Sequence, residues 1–461
     1  MKLEIVILAA GLGKRMHSAL PKVLHQVAGQ SMLSHVIATA KALKPQKIVV
    51  VTGHQGELVQ AEAERCATGT TLCCCKQEQQ RGTADAVKAA LPALDSDSTV
   101  LVLYADTPLT PLTDLQQLLD ALQTSQAQLM LLTCTLDDPT GYGRIVRNES
   151  GAIEGIVEQK DCSADELNIK EINSGIIALP CSVLQHYLPR IECNNAQHEY
   201  YLTDLTSLIV KDGGQVAAMT SDNFAYLRGV NSKVQLAQAE RTYQQLQARK
   251  LLDEGVTLAD PQRFDLRGTL EHGQDCFIDV NCVLSGHCVL GNNVTIGAGC
   301  IISDCVIDDN VVVSPYTVME QSHLKAAVTV GPFARLRPGN TLEEKAHVGN
   351  FVELKKAHLG KGTKAGHLSY LGDSEIGAEV NIGAGTITCN YDGANKHQTI
   401  IEDDVFVGSD TQLVAPVTVR KGATIAAGTT VTKEVPAEAL VLTRTRALYK
   451  THYQRPRKEK K

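Results

Sequence analysis

Between Ile278 and Val431 an aliphatic residue recurs every six positions. One run is Ile278, Leu284, Leu290, Ile296 and Ile302. A second is Leu324, Val330, Leu336, Leu342, Val348 and Leu354, and a third is Ile401, Val407, Leu413, Val419, Ile425 and Val431. The phase slips by a residue or two between runs. An α-helix repeats every ~3.6 residues and an alternating strand every two, so neither explains a period of six. A chain that turns a corner after each short strand does, because one residue per strand then points into a narrow core. The pattern predicts the hexapeptide form of the parallel β-helix. Four places after the aliphatic residue stands a smaller one, Cys282, Cys288, Val294 or Cys300, which suits a second inward position in a tapered interior. Glycine often follows the aliphatic residue, as at Gly291, Gly297, Gly331, Gly349, Gly377 and Gly383, and is expected to serve tight backbone geometry at corners. Residues Asn390 to Gln398 break the repeat and should loop outward.

The chain before the coil has a different texture. Short apolar strands (Ile5–Ala9, Ile48–Thr52, Val100–Tyr104, Leu129–Leu132) alternate with helical stretches (Met32–Leu43, Thr83–Leu91, Leu112–Leu122). That alternation predicts a parallel sheet covered by helices on both faces. From Val234 to Glu254 there is neither glycine nor proline, and Gln, Ala, Leu, Arg and Lys recur at helical spacing, which predicts a linking helix. The expected organisation is an N-terminal domain over 1–233, a linker helix over 234–254 and the coil over 255–461. The coil ends in a basic tail from Arg455 to Lys461, read as a solvated end.

Composition narrows the function classes. A chain of 461 residues can bury two or three full cores. A net charge of −7 and a pI of about 6.1 speak against a general nucleic-acid binder. The opening run Leu3 to Gly11 is too short and too charged for a secretory signal and reads as a buried strand. No apolar run approaches the roughly 18 residues of a membrane helix. The expectation is a cytoplasmic protein without stable membrane insertion, its thiols reduced. The fourteen cysteines form no Cys-x-x-Cys pair, so a structural zinc site is not expected. Packing accounts for Cys282, Cys288 and Cys300 in the coil, and Cys73-Cys74-Cys75 lies in a strand-like stretch.

Three places carry residues suited to chemistry. The first strand runs into Leu8-Ala9-Ala10-Gly11-Leu12-Gly13-Lys14-Arg15, with Lys22 shortly after. Small residues let backbone N–H groups approach a phosphate, and Arg15 and Lys22 add positive charge. The plain alternative is an ordinary strand-to-helix turn, since neither the Walker spacing nor a third dinucleotide-type glycine is present. Tyr104-Ala105-Asp106 ends another strand. In a parallel sheet ligands bind at carboxyl ends of strands, and a single Asp there suits Mg²⁺, although it equally suits a helix N-cap. In the coil, Gly366-His367-Leu368-Ser369-Tyr370 and Asn390-Tyr391-Asp392 interrupt the aliphatic pattern with polar and aromatic groups. A histidine on a coil is by default a surface residue.

These residues stand within longer strings: Gln77 with Gly82-Thr83, Asp137 to Arg144, Glu158, Asn173, Tyr200 to Asp204 and Gly229-Val230-Asn231, then Arg335 to Gly339, Gly349 to Glu353, Ala365-Gly366-His367 and Gly385 to Gly393. On them the chain resembles the sugar-nucleotide pyrophosphorylases. With the coil included, it resembles over nearly its whole length the family of bacterial bifunctional N-acetylglucosamine-1-phosphate uridylyltransferases/glucosamine-1-phosphate N-acetyltransferases. The resemblance implies an N-terminal α/β nucleotidyltransferase domain with a Rossmann-like mixed sheet and a C-terminal left-handed parallel β-helix. It implies two reactions: acetylation of glucosamine 1-phosphate by acetyl-CoA, then transfer of UMP from UTP to N-acetylglucosamine 1-phosphate with release of pyrophosphate. The product would feed peptidoglycan and lipopolysaccharide synthesis.

Residue by residue, the resemblance assigns Leu8, Ala9, Ala10, Gly11, Tyr104 and Ala105 to the nucleotide site and Gln77, Gly82 and Thr83 to uracil. Gly143, Glu158, Asn173 and Thr203 would surround the sugar. Asp106 and Asn231 would hold Mg²⁺, and Lys22 and Arg15 would stabilise the triphosphate and the leaving group. In the coil, His367 would be the general base. Arg337 and Lys355 would bind the sugar phosphate, and Tyr370 and Asn381 would orient the sugar. Ala384, Asn390, Tyr391, Ser409, Ala427 and Arg444 would line an acetyl-CoA cleft between subunits of a homotrimer. Three departures stand out: Lys14 where the family usually has threonine, Ala84-Asp85 where it usually has Gly-His, and Ala105 where it has glycine. Two rival readings are a pyrophosphorylase whose coil only regulates or oligomerises, and a non-catalytic assembly subunit built from the same two domains. His367, Asn390 and Tyr391 argue against the first, and Lys22, Asp106 and Asn231 against the second.

Overall fold

The strand Leu3–Leu8 (β1) is buried at every position, as a central strand with both faces covered must be. Its residues split between two cores. Leu3, Ile5 and Ile7 join the cluster that includes Leu33, Val36, Ile37 and Leu115, while Val6 and Leu8 join the one that includes Val87 and Leu205. Around β1 lie Lys47–Thr52 (β2), Leu72–Lys76 (β3), Thr99–Tyr104 (β4), Leu129–Thr135 (β5), Glu171–Pro180 (β6) and Val216–Ser221 (β7). The sheet order is β7-β5-β6-β4-β1-β2-β3, extended beside β6 by the hairpin Arg144–Arg147/Ile153–Val157. All neighbours on the main path are parallel except β6, which runs antiparallel to β4 and β5. The sheet is therefore mixed, as the resemblance implied, and the parallel sheet read from the strand–helix alternation carries one antiparallel strand. The helices Met32–Ala42 (α1), Gly56–Cys66 (α2), Thr83–Ala90 (α3) and Leu112–Thr124 (α4) cover its faces. Strand order reverses between β1 and β4, the crevice where open α/β sheets take their ligands.

A computed structural model describes residues 2–457, so Lys458 to Lys461 of the basic tail lie outside the described residues. The chain divides into two units, Met1–Tyr243 and Gln244–Lys461, and the boundary falls inside the helix Lys233–Asp253. Among the described residues, no helix is long and apolar enough to cross a membrane.

The second unit is a parallel β-helix. Thr295 pairs with Val312, Val312 with Thr329, Thr329 with His347, His347 with Lys364 and Lys364 with Asn381, a rung of 17 or 18 residues. Asn381 then pairs with Phe406, 25 residues on, because the segment from Asn390 to Gln398 leaves the coil and is largely exposed. All seventeen aliphatic positions of the six-residue repeat point inward, and none is more than 3% exposed. Each contributes roughly 1.5–3 kcal/mol of gross burial. Cys282, Cys288, Val294 and Cys300 fill the second inward position and are buried. From Gln244 on, the linking helix belongs to this core: Ala248 and Leu251 pack in it, and the Gln244 side chain donates to Leu266 O at 3.0 Å and accepts from Leu266 N at 2.7 Å. At one corner Tyr316, Phe333 and Phe351 stack on successive rungs, with centroids 5.2 and 5.5 Å apart, and Leu368 follows. All four are about half exposed or more.

Candidate active sites

In the first unit the carboxyl ends of β1 and β4 open into a cleft of about 360 Å³. Leu8, Ala9, Ala10, Gly11, Lys22, Gln77, Gly82, Thr83, Tyr104 and Asp106 all line it, so ten of the residues singled out for the nucleotide converge there. The loop after β1 is shaped for close approach. Gly13 sits in the left-handed region (φ 60°), and a Cβ on it would lie 2.7 Å from the Lys22 Cβ, so a side chain there would push Lys22 away. The Lys22 ammonium contacts the Asp106 carboxylate and lies 3.0 Å from Asn231 Oδ1. Both partners of this ion pair are mostly buried, at 12% and 17% side-chain exposure. The backbone holds the group in place: Ala105 N–H donates to Leu8 O at 3.0 Å, Val230 N–H donates to Asp106 O at 2.8 Å, and Asn231 N–H donates to the Gln235 side chain at 2.8 Å. Ala105 is fully buried beneath the cleft, and Lys14 and Arg15 lie exposed on a short 3₁₀ turn, outside its lining.

The residues expected around the sugar form an adjoining group. Asn173 and Thr203 line a small cavity that shares Tyr104 with the cleft. Thr203 Oγ1 donates to Glu158 at 3.2 Å, Asn173 N–H donates to Gly143 O at 2.9 Å, and a Cβ on Gly143 would lie 3.4 Å from both Glu158 carboxylate oxygens. Burial pushes the Glu158 carboxyl above the usual carboxylate range and the Tyr104 phenol above its own. Gln80 and Glu199 also line the cleft. Sequence reasoning did not single them out, because nothing local marks a polar loop residue as cleft-facing.

On the coil, His367 Nδ1 lies 2.9 Å from Asn350 Oδ1, its register partner one rung earlier. Since that oxygen only accepts, a neutral imidazole here carries its proton on Nδ1 and its lone pair on Nε2. Arg337 lies 3.3 Å from Glu353, which pairs in register with Tyr370. The Lys355 ammonium is held below its usual range, first by the neighbouring Lys396 ammonium, with Arg337 adding to the effect. Arg337, Lys355 and Lys396 thus form a concentration of positive charge that suits a phosphate. Lys396 belongs to the looped-out segment and was not anticipated, nor was Asn350's bond to His367. The first needed the loop's fold and the second the rung register. Tyr370 and Asn390 meet above Gly372, where a Cβ would lie 2.4 Å from the Tyr370 hydroxyl and 2.8 Å from the Asn390 amide nitrogen. Asn390 also donates to Asp373. Asn381 lies beside Lys364 on the neighbouring rung. Ala384, Ser409 and Ala427 stack along one corner, linked by Asp410 N–H to Ala384 O at 2.7 Å and Gly428 N–H to Ser409 O at 2.8 Å. Arg444 Nη1 donates to Ala427 O at 2.8 Å. Tyr391 is 60% exposed on the loop.

Residues 5–156 match the MobA-like NTP transferase domain, residues 271–304 the bacterial transferase hexapeptide (six repeats), and residues 398–433 the hexapeptide repeat of succinyl-transferase. Similar solved structures include a UDP-glucose pyrophosphorylase complexed with UDP-glucose, at 16% identity and a TM-score of 0.44 over 53% of this chain and 98% of that one. A putative glucose-1-phosphate thymidylyltransferase from Bacillus anthracis in complex with a sucrose matches at 20% identity and 0.43 over 52% and 94%. Domain matches and architecture together define the class: a transferase that joins a nucleotidyltransferase domain to acyltransferase-type hexapeptide repeats.

Proposed function

We propose that the chain is a bifunctional enzyme of UDP-N-acetylglucosamine synthesis. The observation that carries the reading is the meeting of Lys22, Asp106 and Asn231, drawn from three distant segments, beside a small-residue loop at the switch point of the sheet. In the first unit, a phosphate oxygen of N-acetylglucosamine 1-phosphate attacks the α-phosphorus of UTP. A new P–O bond forms as the α–β anhydride breaks, and pyrophosphate leaves. Such chemistry asks mainly for positioning and charge neutralisation. Lys22 supplies a fixed positive charge at the phosphates, the loop from Leu8 to Gly11 offers backbone N–H groups, and Glu158, Asn173 and Thr203 hold the sugar hydroxyls. Asp106 and Asn231 fit a hard divalent cation, since their oxygens already converge on one positive charge. Mg²⁺ held there would neutralise charge on the reacting phosphates.

On the coil, the amine of glucosamine 1-phosphate attacks the thioester carbonyl of acetyl-CoA. The C–N bond forms, His367 Nε2 takes the amine proton, the C–S bond breaks, and the imidazolium returns that proton to the departing sulfur so that CoA leaves as the thiol. Arg337, Lys355 and Lys396 bind the sugar phosphate, Tyr370 and Asn381 orient the ring, and Ala384, Asn390, Tyr391, Ser409, Ala427 and Arg444 receive acetyl-CoA. Cytoplasmic homotrimers are part of this reading, and the exposed aromatic corner at Tyr316, Phe333 and Phe351 supports assembly with further copies. The test is omission of substrates one at a time. CoA release should require glucosamine 1-phosphate but not UTP, and pyrophosphate release should require the acetylated sugar phosphate. Pyrophosphate release from glucosamine 1-phosphate and UTP alone, at the full rate, would overturn the assigned order.

A further inference from the structure

Asp85, one of the positions that depart from the family pattern, is hydrogen-bonded to a residue that lines the nucleotide cleft. Gln77 lines that cleft just beyond β3, and its side-chain nitrogen donates to Gly82 O at 3.1 Å and to Asp85 Oδ2 at 3.0 Å. A backbone carbonyl and a carboxylate can only accept. The amide is therefore oriented by chemistry: both of its protons point at the protein, and its carbonyl oxygen is the group left to present to the cleft. Asp85 is itself held. Its other oxygen takes Arg81 Nη2 at 2.9 Å, and the Arg81 guanidinium lies over the Tyr200 ring, 5.6 Å from its centroid. The loop is pinned to the same residue by Tyr200 N–H donating to Arg81 O at 2.8 Å and Ala84 N–H donating to Tyr200 O at 2.9 Å. The Asp85 side chain is 13% exposed, so water competes little for it.

We propose that Asp85 is a positioning residue that sets base selectivity by holding the Gln77 carbonyl toward the base, an inference that rests on the reading of this cleft as the nucleotide site. A fixed acceptor there accepts the ring N–H of an imide, which uracil and thymine carry. Cytosine presents a lone pair at the same ring position, so its binding leaves two acceptors face to face and unpaired, the situation a buried polar site rejects most strongly. Without the Asp85 carboxylate, the amide nitrogen keeps only Gly82 O. Turning the amide over then costs one hydrogen bond, and the turned amide offers an N–H to cytosine.

The experiment compares kcat/KM for UTP and CTP in pyrophosphate release, with N-acetylglucosamine 1-phosphate and Mg²⁺, for the wild type, Asp85→Asn and Asp85→Ala. A ratio taken within one preparation does not depend on how much of it is folded, and equilibrium binding of UTP and CTP supplies the same ratio where turnover is slow. The wild type should favour UTP strongly, and both variants should lower the UTP:CTP ratio by about tenfold or more, the worth of one hydrogen bond. A ratio unchanged in both variants, whether activity is kept or falls equally for the two nucleotides, overturns the role of Asp85 and leaves the nucleotide site standing. No pyrophosphate from UTP in the wild type overturns the reading of the cleft and the inference with it.

Discussion

Replacing Asn350 should impair acetyl transfer through His367 alone. The Asn350 oxygen lies 2.9 Å from His367 Nδ1 and fixes the tautomer in which Nε2 is free to take a proton. In Asn350→Ala the imidazole loses that acceptor, both neutral tautomers populate, and the ring swings more freely. A single hydrogen bond at a solvent-accessible site is worth about 1 kcal/mol, so kcat should fall roughly fivefold with little change in KM. His367→Ala removes the base itself and should cost on the order of 10²–10⁴. Because Asn350 acts only through the ring, the double variant should be no slower than His367→Ala, a strongly non-additive result. In Asn350→Asp a carboxylate faces Nδ1 and favours the imidazolium. The base must be neutral, so the acid limb of the pH profile should move toward alkali by about one unit. A stopped-flow thiol assay of CoA release measures all four variants. Additive losses in the double variant, or an unmoved acid limb in Asn350→Asp, would refute the account of this pair.

Asp106→Ala should abolish uridylyl transfer and leave CoA release near wild type, because the residues of the two reactions belong to separate units; equal loss of both in a folded protein would sink the two-site reading. Gly349→Ala would place a Cβ 1.9 Å from Gly366 O, next to the His367–Asn350 pair. It should spread the rungs, lower the melting temperature of the coil and reduce acetyl transfer, with pyrophosphate release intact. Burial, reinforced by Asp161, pushes the Asp204 carboxyl up to about 6, above its unfolded value of about 4. The stability tied to its protonated form is present below pH ~4 and lost as pH rises through ~6, so Asp204→Asn should stabilise the N-terminal unit at pH ~8 by on the order of 1 kcal/mol, after allowance for partial exposure, and not at pH ~4. Thermal unfolding at the two pH values checks this, and an equal gain at both would contradict it.

The coil was legible because its core has one period. The seventeen aliphatic positions of its three runs obey it and are buried, and the nine-residue interruption at Asn390 shows as a 25-residue rung. The reason given for its glycines was incomplete. Of the six that follow an aliphatic residue, only Gly331 has a positive φ. At Gly291, Gly349, Gly377 and Gly383 a Cβ would instead strike the next rung's backbone, a contact between residues some 17 to 26 positions apart that no local pattern shows. The corners themselves are turned by left-handed side-chain-bearing residues such as Asn281, Phe333 and Phe351. In the sheet, Ile176-Ile177-Ala178-Leu179 has the apolar texture of its neighbours, and its antiparallel direction is decided only by packing between β4 and β5. Asp106 was legible as a residue at a strand's carboxyl end. Its meeting with Lys22, 84 residues away in sequence, and Lys22's meeting with Asn231, 209 away, come from the order of the strands rather than from any spacing.

The central claim is that one chain performs both transfers in sequence. Its most direct test is a single incubation of the purified protein with glucosamine 1-phosphate, Mg²⁺, UTP and acetyl-CoA labelled in the acetyl group, followed by mass analysis of the nucleotide sugars. The account predicts a UDP-linked N-acetylhexosamine carrying the label, with CoA and pyrophosphate formed alongside it. A product mixture that contains UDP-glucosamine but no acetylated nucleotide sugar, or no nucleotide sugar at all, would contradict it.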